Sequence, residues 1–219
     1  ALDGGQRGCA DCHAPQATHA WLPYAERHFQ QLPCEACHVP AMHAPARMST
    51  DWTVLTAAGE PRVTWRGGAS PPFTAHTLIE PTRPVLLPRT DADGATRLGP
   101  HNLHTTWLWT KAAGDARAPV TRAELEAALL AGDGHHPAVV AALDRDGDGA
   151  LARDELVLDT PARVQAVAAR LEAGGVADPR VEGQIQPVGL HHGVGTHGTA
   201  VKGCAECHGP DSRLSTPMI

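Results

Sequence analysis

Cys9-Ala10-Asp11-Cys12-His13, Cys34-Glu35-Ala36-Cys37-His38 and Cys204-Ala205-Glu206-Cys207-His208 take up all six cysteines of this 219-residue chain. In each stretch two thiols separated by two residues are followed at once by a histidine, the spacing that attaches c-type haem. The two thiols can each form a thioether to one porphyrin edge, and the histidine can bind the iron from the proximal side. Zinc sites or a redox dithiol could use the same cysteines, but neither calls for the trailing histidine at all three places. No cysteine is left for a disulfide. The motifs therefore predict three covalently bound haem c groups. The fold expected is mostly α, with extensive irregular loops and a small β region, organised around the cofactors.

Composition agrees with that expectation. Aromatic residues make up only 4% of the chain, with two Phe and one Tyr. Three porphyrins would supply wide apolar surfaces in their place, so a core could form with few aromatic side chains. The formal charge of -6 argues against a nucleic-acid partner and against docking on an anionic membrane surface. Redox proteins are the expected partners. Lys111 and Lys202 are the only lysines, so nearly all the positive charge is arginine, which grips carboxylates such as haem propionates in a two-pronged geometry. No apolar run is long enough to span a bilayer, so no transmembrane segment is expected. The start at Ala1, without Met or a charged-then-apolar leader, reads as a mature protein after signal cleavage. Covalent haem attachment takes place outside the cytoplasmic membrane, which predicts a periplasmic or extracellular location.

Four segments can be read along the chain. Residues 1–50 form an N-terminal dihaem segment, in which Pro15, Pro23, Pro33, Pro40 and Pro45 limit helices to short turns. Residues 51–118 read as an irregular β-hairpin segment, with short runs Thr53-Val54-Leu55, Val63-Thr64-Trp65 and Val85-Leu86-Leu87 and a turn signal at Asp93-Gly94. Residues 119–175 read as EF-hand-like and helical. One helix starts behind the capping box Thr121-Arg122-Ala123-Glu124 and stops at Gly132 to Gly134, and a second starts near Pro137. A third is expected over Asp154 to Leu158, and a fourth opens with Thr160 and Pro161 and ends at Gly174-Gly175. Residues 176–219 read as glycine-rich loop carrying the last motif.

Asp144-Arg-Asp146-Gly-Asp148-Gly149-Ala150-Leu-Ala-Arg-Asp-Glu155 fits the twelve-residue EF-hand loop at its diagnostic positions. Asp144, Asp146 and Asp148 offer carboxylate oxygens, Gly149 permits the sharp turn, Ala150 gives a backbone carbonyl and Glu155 closes the sphere. One calcium ion is expected here, bracing the helical segment. The stretch from Thr121 to His136 could be its silent partner.

Eleven histidines lie outside the three motifs: His19, His28, His43, His76, His101, His104, His135, His136, His191, His192 and His197. Three bis-histidine irons would take three of them. His19 and His28 lie between the first two motifs on short tethers, and His192 lies within reach upstream of the third, which makes these the favoured distal ligands. His43, His104, His191 and His197 compete with them, as do Met42, Met48 and Met218.

The segment from His28 through Cys34-Glu-Ala-Cys37-His38-Val39-Pro40 to Asp51-Trp52-Thr-Val-Leu-Thr-Ala-Ala-Gly59, with Gly99-Pro100-His101-Asn102, resembles the octahaem tetrathionate reductase family of multihaem cytochromes. The likeness covers roughly the first half and not the EF-hand-like insert. It implies an extracytoplasmic cytochrome with mainly bis-histidine haems. The family carries many more haems, and its active haem takes a distal lysine. Here Lys202 stands two residues before Cys204, too close to reach easily over the far face of a haem attached there. Together these features predict a carrier of single electrons between redox partners, stabilised by calcium, with no catalytic residue singled out. The alternatives are a subunit of a polymerised extracellular filament, joined head to tail, and a reductase of a sulfur or nitrogen oxyanion.

Overall fold

A computed structural model describes residues 8–68, 70–196 and 198–214, leaving His197 and Met218, two of the competing ligands, outside it. Helix accounts for about 25% and strand for about 28%, with six strands in one mixed sheet. The chain is therefore not mostly α, and the β region is not small.

The strands are β1 (Arg47–Leu55), β2 (Pro61–Trp65), β3 (Val85–Thr90), β4 (Thr96–Ala113), β5 (Ala116–Pro119) and β8 (Arg180–Gly189). β6 (Leu130–Ala131) and β7 (Gly134–His135) make a separate two-stranded hairpin. The sheet order is β2-β1-β4-β3, with β5 and β8 also pairing to β4. β1 runs parallel to β4, from Ser49 opposite Thr105 to Asp51 opposite Trp107, while β3 and β5 run antiparallel to it.

The short runs read from the sequence fall inside β1, β2 and β3, and Gly94 turns the β3–β4 hairpin at φ +79°. Sequence reading missed the 18-residue length of β4 and the whole of β8. In β4, residues 99–103 are buried in succession, which erases the apolar-polar alternation that marks a strand. β8 lies in the stretch 176–219, whose glycine content reads as loop. An added Cβ at Gly183 would lie 2.7 Å from Trp107 Cζ3, so this glycine admits the Trp107 ring against the strand.

By its internal contacts the chain divides into two units. The first comprises Ala1–Ala44, Ile79–Leu103 and Pro187–Ile219, and the second Pro45–Leu78 and His104–Gln186. All three cysteine motifs belong to the first. It contains α1 (Pro15–Thr18), α2 (Ala25–Gln31), α3 (Cys34–His38) and α7 (Ala205–His208). Among its described apolar side chains, only Ala36, Val39, Met42, Leu86 and Leu103 are buried, besides the prolines Pro84 and Pro100.

The second unit holds the continuous core. Val54, Leu55 and Trp109 of the sheet meet Leu125, Ala128 and Leu129 of α4 (Arg122–Leu129), Val139 and Leu143 of α5 (Pro137–Leu143), and Val167 and Leu171 of α6 (Pro161–Ala173). The Trp109 indole N–H donates to Thr53 O at 2.9 Å, so its buried polar atom is satisfied. α4 begins at the expected box, Thr121 Oγ1 accepting from Glu124 N. α6 begins at Thr160, which accepts from Arg163 N. The helix expected over Asp154 to Leu158 is absent. Turns and bends occupy residues 153–156, because the Glu155 carboxylate accepts from Arg145 N and Ala152 N instead of facing outward from a helix. Among the described residues, no helix is long and apolar enough to cross a membrane.

Glu124 gives a pH signature. The Lys111 ammonium and the Thr121 N–H hold its carboxyl down to about 2. An unfolded Glu takes up its proton near 4.3, so the contact stabilises fully above that range and is lost as the pH falls through the native value. Melting curves should show wild type above Glu124→Gln by a constant margin above about pH 5, and that margin should shrink between about pH 4 and pH 2.

Candidate functional site

Each cysteine motif is a single helical turn. His13 N donates to Cys9 O at 2.9 Å, and His208 N to Cys204 O at 2.8 Å, while Cys34–His38 is α3 itself. On such a turn the first cysteine, the second and the histidine occupy positions i, i+3 and i+4, which share one face. Two thiols and an imidazole therefore project together from each motif. All six thiols are free. Burial and the neighbouring Cys9 thiol push Cys34 up to about 11, and burial likewise pushes Cys37 and Cys207 up.

The second motif is held on every side. Gly195 N donates to His38 O at 2.6 Å while His38 Nδ1–H donates back to Gly195 O at 3.1 Å. Val201 N donates to Cys37 O at 2.9 Å. Glu35 is paired with Arg89, which also holds Asp91 of the β3–β4 turn. Arg213, buried at 2% exposure, donates to Ala36 O and to Val39 O, and its own N–H donates to Glu206 O of the third motif at 2.8 Å. One residue thus joins the second and third motifs. Burial pushes the Arg213 guanidinium down from its ordinary value. Its Nε is buried with no acceptor among the described residues.

Two favoured histidines meet two motif histidines. The His19 and His38 rings lie 6.0 Å apart between centroids and cross at 84°. The His28 and His208 rings lie 6.2 Å apart and cross at 87°. A metal bound between two imidazole nitrogens at about 2 Å each puts ring centroids about 6 Å apart. His19 Nδ1–H donates to Pro15 O at 2.8 Å and His28 Nδ1–H to Tyr24 O at 3.2 Å. With Nδ1 carrying the proton, Nε2 keeps its lone pair for a metal, and the backbone acceptor fixes the ring. Phe29 stands edge-on to His19 at 5.6 Å and steadies it further.

The other histidines divide by the same test. His101 is buried and donates Nδ1–H to Gly99 O at 2.8 Å, so it shares the brace of His19, His28 and His38. Sequence reasoning counted His101 without favouring it; its signal was its place in Gly99-Pro100-His101-Asn102. His104 is bonded through Nε2 to Thr50 Oγ1, and His135 donates through Nε2 to Leu55 O, which leaves both in structural roles. His192 is exposed in the loop over residues 190–196, and His13 is also exposed.

These residues fit haem on three observations. The motif turns present paired thiols beside a histidine, two imidazole pairs stand at the separation one iron requires, and the first unit buries few apolar side chains of its own. The orphaned Arg213 Nε–H also calls for an acidic acceptor, which a propionate would provide.

In the second unit, one carboxylate oxygen from each of Asp144, Asp146 and Asp148 lies within 4.8 Å of the others. Gly149 N and Gly147 N donate to Asp144 and hold its carboxyl below its ordinary value. Ala150 N donates to Asp148 Oδ1 at 2.8 Å. The buried Glu155 carboxyl is lowered by Arg145 N and Ala152 N.

No family model matches the chain, and no curated protein matches it. Among solved structures, the crystal structure of octaheme cytochrome c from Shewanella oneidensis is similar at a TM-score of 0.48 and 14% identity. The match covers 92% of this chain and 48% of that one, so the chain spans about half the length of that protein. Neither the family nor the haem complement of that protein follows for this chain from a likeness of that size.

Arg213→Met keeps a long apolar stem but removes the donors to Ala36 O and Val39 O. Chemical denaturation should show a loss of about 2 kcal/mol, the worth of charged hydrogen bonds less the relief of burying a cation.

Proposed function

We propose that this chain is a trihaem c-type cytochrome that carries single electrons between redox proteins outside the cytoplasmic membrane, with one calcium ion bracing its second unit. The observation that carries the reading is the meeting of His19 with His38 and of His28 with His208 at 6.0 and 6.2 Å, each beside a pair of free thiols. Haem, once bound, supplies reversible one-electron chemistry at iron. The chain attaches it through Cys9 and Cys12, Cys34 and Cys37, and Cys204 and Cys207, with His13, His38 and His208 as proximal ligands.

His19 with His38, and His28 with His208, would each hold one haem iron. The carbonyl braces on His19, His28 and His38 orient these rings and raise their basicity, which suits six-coordinate iron that changes charge with little rearrangement. His101 joins His192 as a candidate for the remaining distal position. Arg213 places a positive charge between the second and third motifs, where it offsets negative charge on the cofactors. The net charge of -6 suits partners with a basic docking face.

Two experiments test this reading. Intact mass of the denatured chain should exceed that of the polypeptide by three haems, and each Cys-pair to Ala variant should lose one; a bare polypeptide mass sinks the proposal. If His19 with His38 and His28 with His208 each held a haem iron, ring planes crossing at 84° and 87° would leave its dxz and dyz orbitals almost degenerate when oxidised. Electron paramagnetic resonance should therefore show strongly anisotropic low-spin signals. His19→Ala and His28→Ala should each convert about a third of the iron to high spin, and an unchanged spectrum would remove that histidine from the ligand set.

Calcium is tested separately. Asp144, Asp146, Asp148, the Ala150 carbonyl and Glu155 are the proposed ligands. A chelator should lower the melting temperature, with a stabilisation of about 2.7 kcal/mol when calcium stands at a hundredfold its dissociation constant. The variant Asp144→Asn with Asp148→Asn should melt at one temperature with or without chelator.

A further inference from the structure

Strands β3 and β4 set two arginines directly opposite each other. Arg89 stands across from Arg97 in the antiparallel pair, and the two side chains are largely buried, at 11% and 19% exposure. Like charges facing one another across two strands destabilise the pair, and burial sharpens the repulsion. The hairpin has no use of its own for this arrangement.

Asp91 resolves the conflict at the turn. Its Oδ1 accepts from Arg89 Nε at 2.8 Å and its Oδ2 from Arg97 Nη1 at 3.1 Å, so one carboxylate lies between two guanidinium groups. Asp93 adds a second anion, accepting from Arg97 Nη2 at 2.7 Å. Both arginines keep donors that reach outside the hairpin. Arg89 Nη2 donates to Glu35 Oε1 at 3.1 Å, and Glu35 belongs to α3, between Cys34 and Cys37. Arg97 Nε donates to Phe29 O at 3.3 Å, and Phe29 belongs to α2, next to His28 and edge-on to His19. An added Cβ at Gly99 would lie 2.8 Å from Arg89 Cδ, so β4 leaves space for the arginine stem.

The elements gripped in this way are those whose relative placement decides the imidazole pairs. α2 carries His28 and, through Phe29, steadies His19, while α3 carries His38, the partner of His19. With seven and five residues, neither helix holds its geometry alone. A hairpin that takes α2 by a carbonyl and α3 by a carboxylate fixes one against the other.

We propose that Arg89, Asp91 and Arg97 form a positioning clamp that holds α2 against α3, so that His19 meets His38 and His28 meets His208 at iron-binding separation. The clamp rests on the haem reading above, lies wholly within the first unit, and contains no iron ligand itself.

Carbon monoxide tests it. This probe binds ferrous haem only where the sixth position is open or its ligand lets go, so iron held by two imidazoles stays inert. Wild type, shown by intact mass to carry three haems and reduced with dithionite, should not react. Arg97→Met keeps the apolar stem and removes the donors to Phe29 O and Asp91. At equal haem content and well below its melting temperature, it should form adducts at up to about two of its three haems, read from the Soret band. The low-spin resonance signals of the same irons should shift in the oxidised sample. Asp91→Asn keeps the side-chain size and should give the same change, and it decides the matter should Arg97→Met not take up its haems. Arg117→Gln is the control, since Arg117 holds Asp178 and Thr110 O in the second unit. It should melt lower with its haems still inert. Inert haems in both clamp variants, or adducts in Arg117→Gln as well, would overturn the clamp. Adducts in wild type would overturn the paired imidazoles themselves, which separates failure of that reading from failure of the clamp.

Discussion

The reciprocal bonding of His38 with Gly195 is the contact on which the first unit depends. Residues 157 positions apart exchange a backbone N–H for a carbonyl and a ring N–H for a carbonyl, so α3 and the late loop fix one another. Glu35, Ala36, Cys37 and Val39 are then tied by Arg89, Arg213 and Val201. A five-residue helix has almost no stability of its own, since nucleation costs more than so few bonds return. Here tertiary hydrogen bonds supply what length does not.

That dependence explains the uneven distribution of burial. The second unit has an ordinary apolar core in which three helices cover a sheet face, closed by Trp109 and Leu171. The first has polar clamps and few buried apolar side chains. A unit of this kind gains most from an added apolar body, which is what the proposed porphyrins would supply. Arginine suits the clamps because its planar fork bonds two carbonyls at once and stays charged when buried. Arg213 shows both properties in one side chain.

The second unit shows how a polar loop can be kept ordered beside a core. Asp144 and Glu155 spend their carboxylate oxygens on backbone N–H groups, which curls residues 144–155 without any helix following directly. Leu151 and Leu156 tie the same loop into the apolar cluster. The loop in turn contributes Arg153 and Asp154 to the wall of a cavity beside β2.

The sequence by itself determined the local chemistry. The cysteine turns and the Thr121 and Thr160 caps were legible, because each depends on residues within a few positions of one another. Only the tertiary structure decided the rest. The length of β4 and the existence of β8 were hidden because burial on both faces, or glycine making room for Trp107, removes the alternating pattern. The meeting of His28 with His208 and the clamp of Arg213 on Ala36 join residues up to 180 positions apart. No local spacing encodes such contacts, since they arise from the route that the sheet and loops impose on the chain.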